Sequence, residues 1–111
     1  MKASQLAAAL SCRSIWDGWE DREISSAYTS DLLSDVMARA EEAQILITIQ
    51  AHKNTVAVAV LKDLSAMLIA SDRPVPDDMI EAAREEDIPI FVSSDDQYTC
   101  SWKIHKILVS E

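Results

Sequence analysis

Three short apolar runs, spaced along the chain from residue 44 onwards, constrain the fold more than any other feature. They cover residues 44–49 (QILITI), 65–70 (SAMLIA) and 88–92 (IPIFV). Runs of this length and composition are typical of strands buried within a sheet. Helical patterns lie between them, and strands that alternate with helices indicate parallel pairing through right-handed crossovers. We therefore predict an α/β fold: a single domain with a mostly parallel sheet and helices packed on it.

Helical spacing and start signals predict four helices. Ser30 offers an N-cap with Asp31 in the first turn, and Pro76 precedes two carboxylates that suit a helix start. The last helix is predicted to bury Trp102, Ile104 and Leu108. The predicted helices cover residues 3–10, residues 31–40, a stretch that begins at Pro76, and residues 96–108. The first of these also resembles a weak signal peptide, but its spacing fits an amphipathic helix equally well.

Two further stretches are less clearly patterned. Residues 12–28 are mixed and allow two short strands, the second near Glu23–Tyr28. Residues 55–61 (TVAVAVL) are β-branched and alternate, so propensity favours a strand after a turn at 52–54. Both faces of that segment are apolar, so a buried helix is the other interpretation. The residues alone leave this choice open.

Charge and cysteine content exclude several classes of function. The 111 residues include 10 basic and 19 acidic side chains, which give a net charge of −9 and no basic stripe. Such a surface opposes nucleic-acid binding, which needs clustered cations. No apolar run is long enough to span a bilayer, so no membrane association is expected. Cys12 and Cys100 form no CxxC or CxxH pair and are expected to be free, buried thiols of a reducing, cytoplasmic compartment.

Polar residues follow two of the predicted strands and form the candidate binding site. Residues 48–54 (TIQAHKN) end a buried strand with donor and acceptor side chains, and residues 93–95 (SSD) follow another. The carboxyl ends of parallel strands share one edge of a sheet, where a small anion could lie between two helix starts. Histidine there can change charge near neutral pH. The predicted site comprises Gln50, His52, Asn54, Ser93, Ser94 and Asp95; the alternative is that Asn54 and Ser94 only cap helices.

A third strand-end loop contains Asp72 and Arg73. An arginine at a strand end can bind phosphate in a bidentate manner, although ion pairing with acidic neighbours is the commoner role. No catalytic constellation is visible. With one glycine, at position 18, neither a Gly-x-Ser-x-Gly elbow nor a glycine-rich phosphate loop is possible. His52 and His105 lack helical metal-ligand spacing, so we expect no metal site. Because no catalytic constellation is visible either, we expect the protein not to be an enzyme.

Three segments together resemble stand-alone bacterial and archaeal proteins of the DRTGG-domain group. They are residues 27–37 (AYTSDLLSDVM), 48–54 (TIQAHKN) and 57–59 (AVA). The resemblance runs over nearly the whole chain and implies that the segment after Gln50 is a helix, against the strand propensity of 55–61. The sequence contains no Asp-Arg-Thr-Gly-Gly string, so no phosphate-binding motif and no catalytic residue carries over.

The resemblance also implies partners and a role. Larger members carry the domain as a regulatory insert, including a CBS-domain pyrophosphatase in which it lies beside an adenine-nucleotide site. This implies a non-catalytic regulatory or ligand-sensing module for a nucleotide or other small anion. Stand-alone members near hydrogenase genes imply an alternative, an accessory interaction subunit of a redox enzyme. A homodimer is implied as well, and it is also favoured by aromatics such as Trp16 and Trp19 that a small domain cannot fully bury.

Overall fold

The computed structural model describes residues 1–110, which form five helices and five strands. The helices are α1 (Ala3–Leu10), α2 (Leu33–Arg39), α3 (Lys53–Leu61), α4 (Asp77–Glu86) and α5 (Gln97–Val109). The strands are β1 (Arg13–Ser14), β2 (Ser26–Thr29), β3 (Gln44–Thr48), β4 (Ala66–Ile69) and β5 (Ile90–Val92). The predicted strands at 44–49, 65–70 and 88–92 are confirmed to within two residues.

The strands form one sheet in the order β1-β5-β4-β3-β2. Four of them are parallel, and the short β1 pairs antiparallel with β5 at one edge. Every side chain of β4 and β5 is buried, as expected for strands covered on both faces. The predicted α/β fold with a mostly parallel sheet is confirmed.

Helices cover both faces of the sheet and produce two hydrophobic clusters. Residues of α2, α3 and α4 pack with Leu46, Met67 and Ile69 on one face. Residues of α1 and α5 pack with Ile45, Ile47 and Phe91 on the other. Consecutive residues of β3 therefore contact opposite helical layers, which explains its uninterrupted apolar sequence.

The segment at 55–61 is helical, as the family resemblance implied and against its strand propensity. Val56, Val58 and Ala59 are buried in the cluster between α3 and the sheet. The propensity difference between valine and alanine in a helix is under about 1 kcal/mol per residue, and burial of three apolar side chains exceeds it. The helix begins at Lys53, within the segment after Gln50 that the resemblance implied to be helical.

The predicted start of α2 is wrong. The helix begins at Leu33 after an extended Leu32, so Ser30 is not its N-cap and Asp31 is not in its first turn. The hydroxyl of Ser30 instead accepts a hydrogen bond from the Leu32 backbone N–H at 3.2 Å. A serine that bonds its own backbone two residues on forms a turn in place of a helix cap.

The predicted incomplete burial is wrong for Trp16 and holds for Trp19. Trp16 is buried and donates its indole N–H to the Ile88 carbonyl at 2.9 Å, and Trp19 is half-buried with an edge-to-face contact to Phe91. Trp102, predicted to face inward, is 47% exposed. In α5 the buried positions are Cys100 and Ile104, so the inward face is rotated away from Trp102. Among residues 1–110, no helix is long and apolar enough to cross a membrane.

Candidate ligand site at the carboxyl edge of the sheet

The loop after β3 is held by two fully buried threonines. The Thr48 hydroxyl oxygen accepts a hydrogen bond from the Gln50 backbone N–H at 3.1 Å. The Thr55 hydroxyl donates to the Gln50 carbonyl at 2.8 Å. Both backbone groups of Gln50 therefore have partners, and the turn that leads into α3 has one defined shape. The sequence patterns indicated a polar loop here but did not identify these threonines.

The side chain of Gln50 connects this loop to its neighbour. Its amide nitrogen donates to the Asp31 carbonyl at 2.7 Å, in the loop after β2. The amide oxygen of Gln50 is left to accept a further hydrogen bond. Gln50 thus has a structural bond in addition to its predicted role in binding.

His52 is the N-cap of α3. Its Nδ1 accepts a hydrogen bond from the Asn54 backbone N–H at 3.1 Å, which replaces one bond missing from the first helical turn. The alternative in which Asn54 caps the helix is therefore wrong. With Nδ1 as acceptor, the neutral ring carries its hydrogen on Nε2, a donor on an exposed side chain. The side chain of Asn54 is exposed as well.

The loop after β5 is bound to the loop after β4. Backbone N–H groups of Ser71 and Asp72 donate to the carbonyls of Asp95 and Ser93 at 2.7 and 2.8 Å. Ser71 and Asp72 reach these positions with φ angles of 59° and 50°, in the left-handed region that non-glycine residues rarely adopt. Strained backbone of this kind is concentrated at binding sites.

Two of the predicted side chains in the β5 loop are engaged within the protein. The Ser93 hydroxyl accepts from the Asp95 backbone N–H at 3.1 Å. The Asp95 carboxylate lies 2.7 Å from the Lys103 ammonium, and this hydrogen bond raises the pKa of Lys103. The carboxylate is thereby neutralised, which lowers the repulsion that an anion would meet at this edge. Ser94 remains exposed.

Asp96, and not Ser94, caps α5. Its carboxylate accepts a hydrogen bond from the Thr99 backbone N–H at 2.8 Å, and this bond holds the pKa of Asp96 below its ordinary value. The capping role considered for Ser94 is therefore wrong. The hydroxyl of Ser94 has no protein hydrogen-bond partner within residues 1–110.

Arg73 lies in the loop after β4, the strand between β3 and β5. It is exposed and has no carboxylate within 4.0 Å among the described residues, whereas its neighbour Asp72 lies 3.9 Å from Arg13. The expected ion pair of Arg73 with acidic neighbours is thus absent from this part of the chain. An unpaired guanidinium is suited to bind a phosphate or carboxylate.

The predicted site residues lie at one edge of the sheet but in two groups. Gln50, His52 and Asn54 are at the start of α3, on one face, and residues 93–95 precede α5 on the other. The loop after β4, with Arg73, lies between them. A groove of about 510 Å³ between α3 and α4 is lined by Asn54 but by none of the other predicted site residues. Residues 1–110 contain no group of three or more His, Cys, Asp or Glu that could hold a metal ion.

Comparison with known proteins supplies a family and a structural neighbour. A family model of the DRTGG domain matches residues 20–107. Among solved structures, the chain is similar to the CBS and DRTGG domains of the regulatory region of Clostridium perfringens pyrophosphatase, solved in complex with the activator diadenosine tetraphosphate, with a TM-score of 0.69 and 14% identity. That match covers 92% of this chain and 45% of the other, so this chain spans less than half of its neighbour. No curated protein matches.

Proposed function

Because the chain belongs to the DRTGG domain family, we propose that it is a non-catalytic regulatory module that binds a nucleotide or another small anion. The site is the carboxyl edge of the sheet, with Gln50, His52, Asn54, Ser93, Ser94 and Asp95 in its two loops. The observation that carries the proposal is the unpaired Arg73 in the loop between these two groups.

The chemistry of the edge suits an anion despite the net charge of −9. Two carboxylates of these loops are paired with cations, Asp95 with Lys103 and Asp72 with Arg13. The uncommitted donors are the exposed side chains of His52, Asn54 and Ser94 together with the Arg73 guanidinium. The pyrophosphatase regulatory region that contains CBS and DRTGG domains was solved with diadenosine tetraphosphate, which makes adenine nucleotides the first class to test.

Thermal unfolding with a panel of phosphates tests the proposal. The panel comprises inorganic phosphate, adenosine mono-, di- and triphosphate, and diadenosine tetraphosphate. A compound that binds the native state raises its stability, by ~2.7 kcal/mol at a concentration one hundred times the dissociation constant. We expect at least one nucleotide to raise the melting temperature, and calorimetric titration should give its dissociation constant.

Two variants and two matched controls locate the site. Arg73→Ala removes the unpaired guanidinium, and His52→Asn removes the Nε2 donor while keeping a residue that can cap α3. Both substitutions should raise the dissociation constant of the nucleotide by about tenfold or more, the effect expected from the loss of one charge-assisted hydrogen bond. The controls are Arg84→Ala and His105→Ala, exposed residues of α4 and α5. Equal affinity in all four variants, or no response to any compound in the panel, contradicts the proposal.

A further inference from the structure

The solvent-facing side of α3 is apolar, whereas a helix at the surface of a sheet ordinarily has polar residues there. Every residue that follows Thr55 in this helix is apolar, up to its end at Leu61. One face of α3 is buried against the sheet, but Ala57 is exposed, Val60 is 38% exposed and Leu61 is 72% exposed. Packing on the sheet therefore accounts for the apolar residues on one face of α3 and not for those on the other.

These exposed residues of α3 form one wall of the groove of about 510 Å³ between α3 and α4, which we call the α3–α4 groove. Ala82, Glu85 and Glu86 of α4 line the other wall. Both helices follow strands of a parallel sheet and run in the same direction, so the two glutamates lie at the same end of the groove as Leu61. The nine residues of α3 make the groove about 13 Å long.

The carboxylates of the α3–α4 groove are not compensated by cations. Glu85 and Glu86 are exposed, and neither has a cation within 4.0 Å among residues 1–110. The sequence of α4 contains five carboxylates and one arginine, Arg84, which lines a separate groove together with Glu81. Lys53 lies at the opposite end of the α3–α4 groove, at the start of α3. The groove therefore combines apolar walls with one acidic end.

We propose that the α3–α4 groove binds a basic amphipathic helix of a partner protein, with apolar side chains in the groove and lysine or arginine side chains beside Glu85 and Glu86. A groove between two helices accepts the apolar face of a third, because side-chain ridges of one helix pack between those of another. Apolar residues spaced i, i+4 and i+7 span about 10 Å along a helix, which fits within the length of α3. A second copy of this chain does not suit the groove, because it would bring the same carboxylates together.

Fluorescence anisotropy with two labelled synthetic peptides tests the proposal on the full chain. Both peptides have the same composition of leucine and lysine and a length of roughly four helical turns. In the first peptide the leucines recur at i, i+3, i+4 and i+7 and share one face of a helix, and in the second leucine and lysine alternate. The first peptide should bind with a dissociation constant lower by about tenfold or more. Equal affinity for the two peptides would show that the protein attracts positive charge alone, and this overturns the proposal.

Two variants within the α3–α4 groove locate the bound helix. Leu61→Gln removes an exposed apolar side chain and should raise the dissociation constant of the first peptide by about tenfold. Glu85→Lys reverses a charge beside the peptide lysines and should raise that constant by about fivefold or more. Leu61 is mostly exposed, and a lysine in the last turn of α4 suits the helix dipole, so both variants should remain folded. Circular dichroism melts verify this.

The matched controls are Val109→Gln and Asp17→Lys, which make a similar polar change and the same change in net charge at exposed residues outside the groove. Val109 lies in α5, where a second groove of about 540 Å³ between α1 and α5 is lined by Lys103 and Lys106 and should repel the peptide. Both controls should keep the dissociation constant within about twofold of the wild-type value. Arg73→Ala should do the same, so the groove and the proposed anion site can fail independently. No binding of the first peptide, or groove variants that act no more strongly than the controls, overturns the proposal.

Discussion

Replacement of the two buried threonines of the β3–α3 loop should destabilise the protein through a single backbone unit. Thr48→Val removes the acceptor of the Gln50 N–H, and Thr55→Val removes one donor to the Gln50 carbonyl. Threonine and valine have nearly the same volume, so the substitution creates no cavity. The change in free energy of unfolding therefore reports the lost hydrogen bond minus the gain from burying the added methyl group.

The geometry ranks the two substitutions. After Thr55→Val the Gln50 carbonyl keeps the His52 backbone N–H at 3.0 Å, so the expected cost is about 1 kcal/mol. After Thr48→Val the Gln50 N–H keeps no protein partner, and the expected cost is about 1–3 kcal/mol. For a chain of this size 1 kcal/mol corresponds to a shift in melting temperature of roughly 4 °C. Because both variants act on Gln50, their effects should not be additive.

Urea denaturation followed by circular dichroism measures these costs. The control is Thr29→Val: Thr29 is exposed, its hydroxyl lies 2.7 Å from that of Ser101, and water can replace the lost bond. It should change stability by less than about 0.5 kcal/mol. If Thr48→Val and Thr55→Val cost no more than Thr29→Val, the loop is not held by its buried hydroxyls and the reasoning is refuted.

Three further predictions concern thiols, a turn and a helix cap. Burial raises the pKa of Cys12 to about 11 and also raises that of Cys100, so both thiols should react slowly with a thiol reagent until the protein is unfolded. Because the folded protein holds these protons more tightly than the unfolded chain, the free energy of unfolding should fall as pH rises above about 9. Ala43 has a φ of 64°, a conformation that glycine adopts without strain. Ala43→Gly should therefore raise the free energy of unfolding by about 0.5–1 kcal/mol, after allowance for the greater entropy of glycine in the unfolded chain. A decrease measured by urea denaturation would show that the turn is not strained. Because the pKa of Asp96 is lowered in the folded protein, its carboxylate stabilises the fold above the ordinary titration range of aspartate, and this stability is lost in acid. Asp96→Asn should therefore reduce the fall in melting temperature at low pH. An unchanged fall would exclude Asp96 as a source of the acid sensitivity.

The architecture could be predicted because strands buried on both faces have characteristic apolar runs in the sequence. Apart from Gln44, Thr48 and Ser65, every residue in the runs at 44–49, 65–70 and 88–92 is apolar, a pattern that requires cover on both faces of a sheet. The segment at 55–61 has the same apolar composition, although α3 buries only one face and leaves Ala57, Val60 and Leu61 exposed. Periodicity cannot distinguish these two environments, and the family resemblance was needed to resolve them.

The candidate site was predictable only in outline. Polar residues after two apolar runs indicated the loops, and parallel topology placed both at one edge. Which side chains are free to bind a ligand depends on hydrogen bonds between residues far apart in sequence, and local sequence patterns do not predict such bonds. Lys103 neutralises Asp95 from the next helix, and the Asp31 carbonyl engages Gln50 from another loop. The inward face of α5 was misassigned for a related reason, because Trp102 has the apolar character of a core residue while its position faces outward.

An amide NMR titration of the full chain with diadenosine tetraphosphate tests the ligand site most directly, because it reports location and affinity together. We expect saturable shifts of the amides at residues 50–54, 71–73 and 93–97, which Arg73→Ala weakens and Arg84→Ala preserves. Saturable shifts confined to other surfaces, such as the groove between α1 and α5, or no shifts at any concentration, would contradict a binding site at the carboxyl edge of the sheet.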